Sequence, residues 1–351
     1  MTIRVVVICF LVAFVFPGLC QEIGSADSTL IVAENQEAEL AFNEGNTFLA
    51  KGNMNEAINS YSKAINFKPD FSKALINRAV AYTEIKEYNK AYADYDFVYN
   101  LNKNLGALYG RGISNYYLNK LEQAQIDLEL AKNSGFTDPG VFYFLGVVNF
   151  ELENYSDAIE FYTLCINNKA DYVNAYNDRA SAKRMVGDFE GAIDDYTKAI
   201  KLNPNIDFLY NNLASVYWKS GKLDQAILNY SLAIRINTNY YMAFNNLASV
   251  KTEKGDFEGA ILDCNQAIKI KPEYAYAYNN RGNAKVKLEQ FDVALADFNK
   301  SIELKNDFAA AYLNRGICKE LTRDFEGAVA DWQKAYDLGI KKALNYIQFY
   351  D

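Results

Sequence analysis

Tyr176-Asn177-Asp178-Arg179-Ala180, Tyr210-Asn211-Asn212-Leu213-Ala214, Phe244-Asn245-Asn246-Leu247-Ala248 and Tyr278-Asn279-Asn280-Arg281-Gly282 are four versions of one phrase, each 34 residues after the last. Twelve residues beyond the small residue that closes each phrase stands an alanine: Ala192, Ala226, Ala260 and Ala294. Two of these alanines end the same hexamer, Gly187-Asp188-Phe189-Glu190-Gly191-Ala192 and Gly255-Asp256-Phe257-Glu258-Gly259-Ala260. A fixed period of this length marks stacked supersecondary units rather than one globular core.

Carried in both directions, the register gives nine units. The small residue recurs as Gly45, Ala79, Gly112, Gly146, Ala180, Ala214, Ala248, Gly282 and Gly316. The alanine recurs as Ala57, Ala91, Ala124, Ala158, Ala192, Ala226, Ala260, Ala294 and Ala328, with a large residue such as Tyr61, Tyr196 or Trp332 four places on in most units. Spacings of three and four hold these side chains on one face of a helix, where small residues let a second helix approach. Gly52, Gly187, Gly221 and Gly255 fall where a first helix should stop in a left-handed cap. Pro69, Pro204 and Pro272 end second helices. One step, Ala79 to Gly112, is 33 residues, which places a one-residue deletion in the turn between Asn100 and Leu105.

The pattern resembles the tetratricopeptide repeat family over residues 38–340. That resemblance implies an all-α chain: a right-handed superhelical α-solenoid of stacked helix-turn-helix units, with a concave groove lined by each unit's first helix. It also implies a partner protein or peptide, held in the groove as an extended or helical segment. The expected organisation is a signal peptide over 1–20, a tether and lead-in over 21–37, nine repeats over 38–340 and a capping helix over 341–351.

Composition narrows the function. The formal charge is −8, and no basic stripe offers a phosphate backbone its counterions, so nucleic acid is not an expected partner. The chain has no histidine, which removes the commonest metal ligand and the usual base of nucleophilic triads. Neither a catalytic site, a metal nor a cofactor is expected. Arg4 followed by the apolar run Val5–Phe16 and the small residues before Gln21 reads as a secretory signal, too short to span a bilayer. Export to the periplasm or cell surface follows, with a membrane link only if Cys20 is lipidated or residues 1–20 persist as an anchor. Cys165, Cys264 and Cys318 are odd in number and far apart, so they read as buried thiols rather than a disulfide framework.

If the family geometry carries over, residues two and three before the small residue face the groove. In units five to eight these are the pairs Asn177/Asp178, Asn211/Asn212, Asn245/Asn246 and Asn279/Asn280, with Ser181, Ser215, Ser249 and Asn283 beside them. An amide offers both a donor and an acceptor, which matches what a peptide backbone presents. Units three and four interrupt this ladder with Tyr109, Tyr116, Tyr117, Tyr143, Phe144 and Phe150, read either as a pocket for anchor side chains or as packing between repeats. The leading function is therefore a non-catalytic adaptor. The alternatives are a structural part of an envelope or secretion assembly, docking through its outer face or ends, and a glycan-binding groove.

Overall fold

The computed structural model describes residues 28–349, so the expected signal peptide and the start of the tether lie outside the described residues. Among the described residues there are nineteen helices and no strand. The chain divides between Leu118 and Asn119 into two compact units. The first contains α1 (Ser28–Ala50), α2 (Met54–Phe67), α3 (Ser72–Glu84), α4 (Tyr88–Asn102) and α5 (Leu105–Tyr117). The second opens with α6 (Leu121–Asn133), α7 (Pro139–Glu151), α8 (Tyr155–Asn168), α9 (Val173–Met185) and α10 (Phe189–Leu202). It continues through α11 (Asp207–Lys219), α12 (Leu223–Ile236), α13 (Tyr241–Lys254) and α14 (Phe257–Ile270). It closes with α15 (Ala275–Lys287), α16 (Phe291–Leu304), α17 (Ala309–Leu321), α18 (Phe325–Asp337) and the short α19 (Ala343–Ile347).

Within each unit every helix packs on the next, which makes a run of antiparallel pairs. The register explains why. Each alanine from Ala57 to Ala328 is fully buried, and so, to within 5%, is the large residue four places on, from Tyr61 to Trp332. The small residue opposite has no room to grow. A Cβ on Gly146 would lie 2.5 Å from the Tyr162 ring, and one on Gly316 would lie 2.5 Å from the Trp332 indole nitrogen.

The turn inside each pair needs one residue with positive φ. Gly52, Gly187, Gly221 and Gly255 supply it, as their spacing predicts. Lys86, Glu153, Glu289 and Arg323 do the same job at φ between 59° and 67°, without the freedom of glycine. After the hexamer's glycine, Asp188 and Asp256 cap the following helix by accepting from Gly191 and Gly259 N–H, both at 2.9 Å, and Asp324 does the same for Gly327 at 3.0 Å. The shortened step also falls where the sequence places it. Only Lys103 and Asn104 separate α4 from α5, and Asn104 caps α5 by accepting from Ala107 N–H at 2.9 Å.

Two ends differ from expectation. α1 starts at Ser28, so residues 28–37 are helix rather than tether. Among the described residues the carboxyl-terminal cap is one short helix, α19, with 341–342 and 348–349 as turns on either side of it. Ala343 and Ile347 bury against α18, and Tyr346 stacks on Trp332 with ring centroids 5.1 Å apart, so even five residues cover the last apolar face.

Candidate functional site

The first helices α9, α11, α13 and α15 carry the amide pairs and α17 carries Asn314, and each of the first four touches the next first helix along the stack. The two members of a pair have different fates. Asn177, Asn211, Asn245 and Asn279 are only 3–6% exposed, which corrects the expectation that they present their amides to a ligand. Their neighbours Asp178, Asn212, Asn246 and Asn280 are half-buried and keep an edge in solvent.

Burial of an amide requires partners, and the pairs supply them to one another. Asn212 Nδ2 donates to Asn177 Oδ1 at 3.1 Å, Asn246 to Asn211 at 3.2 Å, Asn280 to Asn245 at 2.9 Å and Asn314 to Asn279 at 3.0 Å. Each of these bonds joins one repeat to the next. Within a pair the bonds are longer: Asn211 Nδ2 donates to Asn212 Oδ1 at 3.4 Å, Asn245 to Asn246 at 3.5 Å and Asn279 to Asn280 at 3.3 Å. The exception is Asn177, whose Nδ2 meets the Asp178 carboxylate at 2.8 Å, as a charge-assisted bond should. Tyr143 on α7 donates its hydroxyl to the other Asp178 oxygen at 2.8 Å.

So the ladder is one hydrogen-bonded row from Asn314 to Asp178 that stitches α9 to α17. Asn212 and Asn246 each spend one N–H and one lone pair on it and have one of each beyond those bonds. Asn280 spends its second N–H on Ser249 Oγ at 2.9 Å. Ser181 and Ser215 are likewise tied inward, to the hydroxyls of Tyr196 and Tyr230. Asn283 remains half-buried at the rim. Burial pushes Asp178 up to about 6, although the bonds from Tyr143 and Asn177 pull it back down. Burial, with the nearby Asp178 charge, also raises the Tyr143 hydroxyl well above its usual range.

The residues of the aromatic patch fall in two compact units, and in each of them rings of the patch pack on their neighbours. Tyr109, Tyr143 and Phe144 are buried, at 8%, 1% and 1% exposed. Tyr143 packs among Phe144, Tyr162 and Tyr172, so the packing alternative describes these two rings. Phe150 meets Tyr155 edge-on, and Tyr117 stacks on Tyr88 at 4.6 Å with Tyr116 against its edge. Tyr109, Tyr116 and Tyr117 belong to the first compact unit, and Tyr143, Phe144 and Phe150 to the second.

A second polar row was not anticipated from the sequence. Arg78, Arg179, Arg281 and Arg315 each clasp an aspartate sixteen residues on, Asp94, Asp195, Asp297 and Asp331, through Nε and Nη2 at 2.5–2.9 Å. Their Nη1 atoms reach back sixteen residues to Ser62, Thr163, Asn265 and Asn299 on the preceding second helix. Arginine at one before the small residue with aspartate sixteen later was the signal available. In the α11–α12 pair, Leu213 and Asn229 replace the two charges together.

Comparison with known proteins agrees with this architecture. A family model described as TPR repeat matches residues 45–86, 183–221 and 248–288. Models described as tetratricopeptide repeat match 279–343 and, separately, 139–172 and 209–240. The chain belongs to the tetratricopeptide repeat family, whose members serve as protein-binding scaffolds. It is 32% identical over 113 residues to human RNA polymerase II-associated protein 3, and 31% identical over 113 residues to the mouse protein. Those matches cover 32% of this chain but only 17% of either relative. A solved tetratricopeptide repeat protein from Parabacteroides merdae superposes with a TM-score of 0.60 at 18% identity, over 70% of this chain and 97% of that one.

Proposed function

We propose that this chain is a non-catalytic adaptor that holds an extended segment of a partner protein against the first-helix face of α11, α13 and α15. The observation that carries this reading is the unspent capacity of Asn212 and Asn246, 34 residues apart in sequence and locked in one orientation by the buried amides beside them. An extended chain displays donors and acceptors at regular intervals, and a rigid row meets them with little ordering cost. The row lies where first helix touches first helix. The amino-terminal run of residues 1–20 supports export, so the partner belongs to the periplasm or cell surface. Intact mass of the purified chain tests that part: a mature chain that starts at Gln21 or at a lipidated Cys20 supports it, and an unprocessed Met1 opposes it.

One observation favours a second reading, docking through the outer face. Leu228 and Leu262, one repeat apart on α12 and α14, are 58% and 65% exposed. Substituting Asn212, Asn246 and Asn280 together with Ala separates the two. Co-purified partner identified by mass spectrometry should be lost from this variant under the groove reading. Retention of that partner by the triple variant, with loss on Leu228→Ser and Leu262→Ser, would establish outer-face docking instead.

A further inference from the structure

We propose that Asp178 is the positioning residue that sets the sense of the whole amide row, so that an extended segment is accepted in one chain direction only. The second half of this statement rests on the groove reading above. The first half rests on the row alone.

A row built only of asparagines has two equally good arrangements, since turning every amide over exchanges each donor with each acceptor. An ionised carboxylate has no such freedom, because it only accepts. Asp178 takes the Tyr143 hydroxyl on one oxygen and Asn177 Nδ2 on the other, both at 2.8 Å. With its Nδ2 committed, Asn177 has Oδ1 left for the next repeat and accepts there from Asn212 Nδ2. Asn212 Oδ1 is then left for Asn211 Nδ2, and the same logic repeats through Asn246, Asn245, Asn280 and Asn279 to Asn314. Every bond that links one member of the row to the next therefore points its N–H toward Asp178, and bonds in such a chain polarise one another. Ser249 adds a local bias in the same sense. It donates to the Asn245 carbonyl and so has its lone pairs for the second Asn280 N–H.

The unspent groups inherit this order. The free N–H of Asn212 and that of Asn246 face the same way, as do their free lone pairs, so a backbone entering in reverse meets donor with donor.

The anchor is titratable within an accessible range, since burial brings Asp178 up to about 6. Tyr143 on α7 touches it, and Tyr196 on α10 lies near enough to feel its charge, with Arg184 of α9 near Tyr196; Tyr162 on α8 and Tyr172, which precedes α9, stand on Tyr143. Arg179, its sequence neighbour, is committed to Asp195. Protonation gives Asp178 an O–H donor, and where that proton lies toward Tyr143 or Asn177 the bond that holds the end of the row turns round.

Side-chain amide NMR of the full chain, labelled with 15N at asparagine and carrying no ligand, tests the anchor. The Nδ2 signals of Asn177, Asn211, Asn245 and Asn279 should move through one common midpoint near pH 6, with amplitude falling along the row. Asp178→Asn should abolish that titration and give doubled or exchange-broadened amide signals. Tyr143→Phe should keep a single set of signals and raise the midpoint, because the ionised carboxylate loses a donor. Movement of Asn177 alone, a single unchanged set in Asp178→Asn, or an unshifted midpoint in Tyr143→Phe would each overturn the assignment. Because no ligand is read, a titrating row in a protein whose triple amide variant still holds its partner would leave the anchor standing and remove only the groove reading.

Discussion

Two polar rows run along the second compact unit, and they have been finished differently. Between first and second helices the Arg–Asp clasps are closed: guanidinium and carboxylate satisfy one another and the preceding helix, and the carboxylates are 4–5% exposed as residues. Along the first-helix face the amides satisfy their burial and still keep groups in hand. The difference teaches how to tell a structural polar row from a functional one when both are ordered. A row whose opposite charges are spent on one another serves the fold, even where a guanidinium keeps an N–H beyond the three it uses, whereas neutral amides that each keep both a donor and an acceptor at half-buried positions match what a peptide backbone offers.

Breaking a clasp should have the largest effect. Arg179→Leu leaves Asp195 nearly buried with only Lys183 beside it at 2.8 Å, and should lower stability by about 3 kcal/mol in thermal unfolding. Adding Asp195→Asn copies the Leu213–Asn229 pair found in the α11–α12 hairpin and should recover most of that loss. If the single variant unfolds like wild type, the clasps are ornament and the comparison fails.

Cutting the amide row comes next. Asn245→Leu strands the Asn280 and Asn246 groups that it now joins, and should cost about 2 kcal/mol. Ile76→Asn, at the corresponding place in the first compact unit, should change stability much less, because Asn77 there already donates to Asn46 at 2.9 Å and has no use for a connecting amide.

The Asp178 anchor sharpens the contrast through pH. Its folded value near 6 lies above the ordinary 3.8, so between those values the folded chain holds a proton that the unfolded chain has released. Stability from this group is therefore highest in acid, falls as pH rises through that window and is flat above it. Asp178→Asn should remove this slope and raise stability at pH 7 by about 2 kcal/mol, even though it frees the row to reverse. A variant that unfolds later yet shows a disordered row cannot be explained by a purely structural role.

The smallest effect touches neither row and calibrates both. Glu153→Gly and Glu289→Gly relieve positive φ of 62° and 59° at the turns, and each should stabilise by about 1 kcal/mol.

The sequence shows the fold most plainly where composition is constrained by contact. Ala192 and Ala260 are invariant within the repeat because a helix lies against them, so the period alone reveals the pairs. The turn at Glu289 is silent in sequence, since its residue type carries no mark of the left-handed backbone imposed on it. The same limit applies to the site. Asn211 and Asn212 look alike in a sequence, and only packing of α11 on α13 decides which amide is covered. Tyr143 was legible as apolar bulk but not as the donor to Asp178, because that contact joins residues 35 apart through a hydroxyl that helical periodicity does not report. The Arg–Asp clasps were legible in principle as a spacing of sixteen, which is a contact between helices and not a motif within one.

The central claim, that the half-buried amides meet a partner while the clasps and outer face do not, is tested most directly by site-specific photocrosslinking. A benzoylphenylalanine replaces Asn246 in one protein and Leu228 in another, and the crosslinked peptides are sequenced by mass spectrometry. Position 246 should capture one contiguous segment of a single partner, and position 228 should capture none. Capture of that partner at 228 with nothing at 246 would contradict the account.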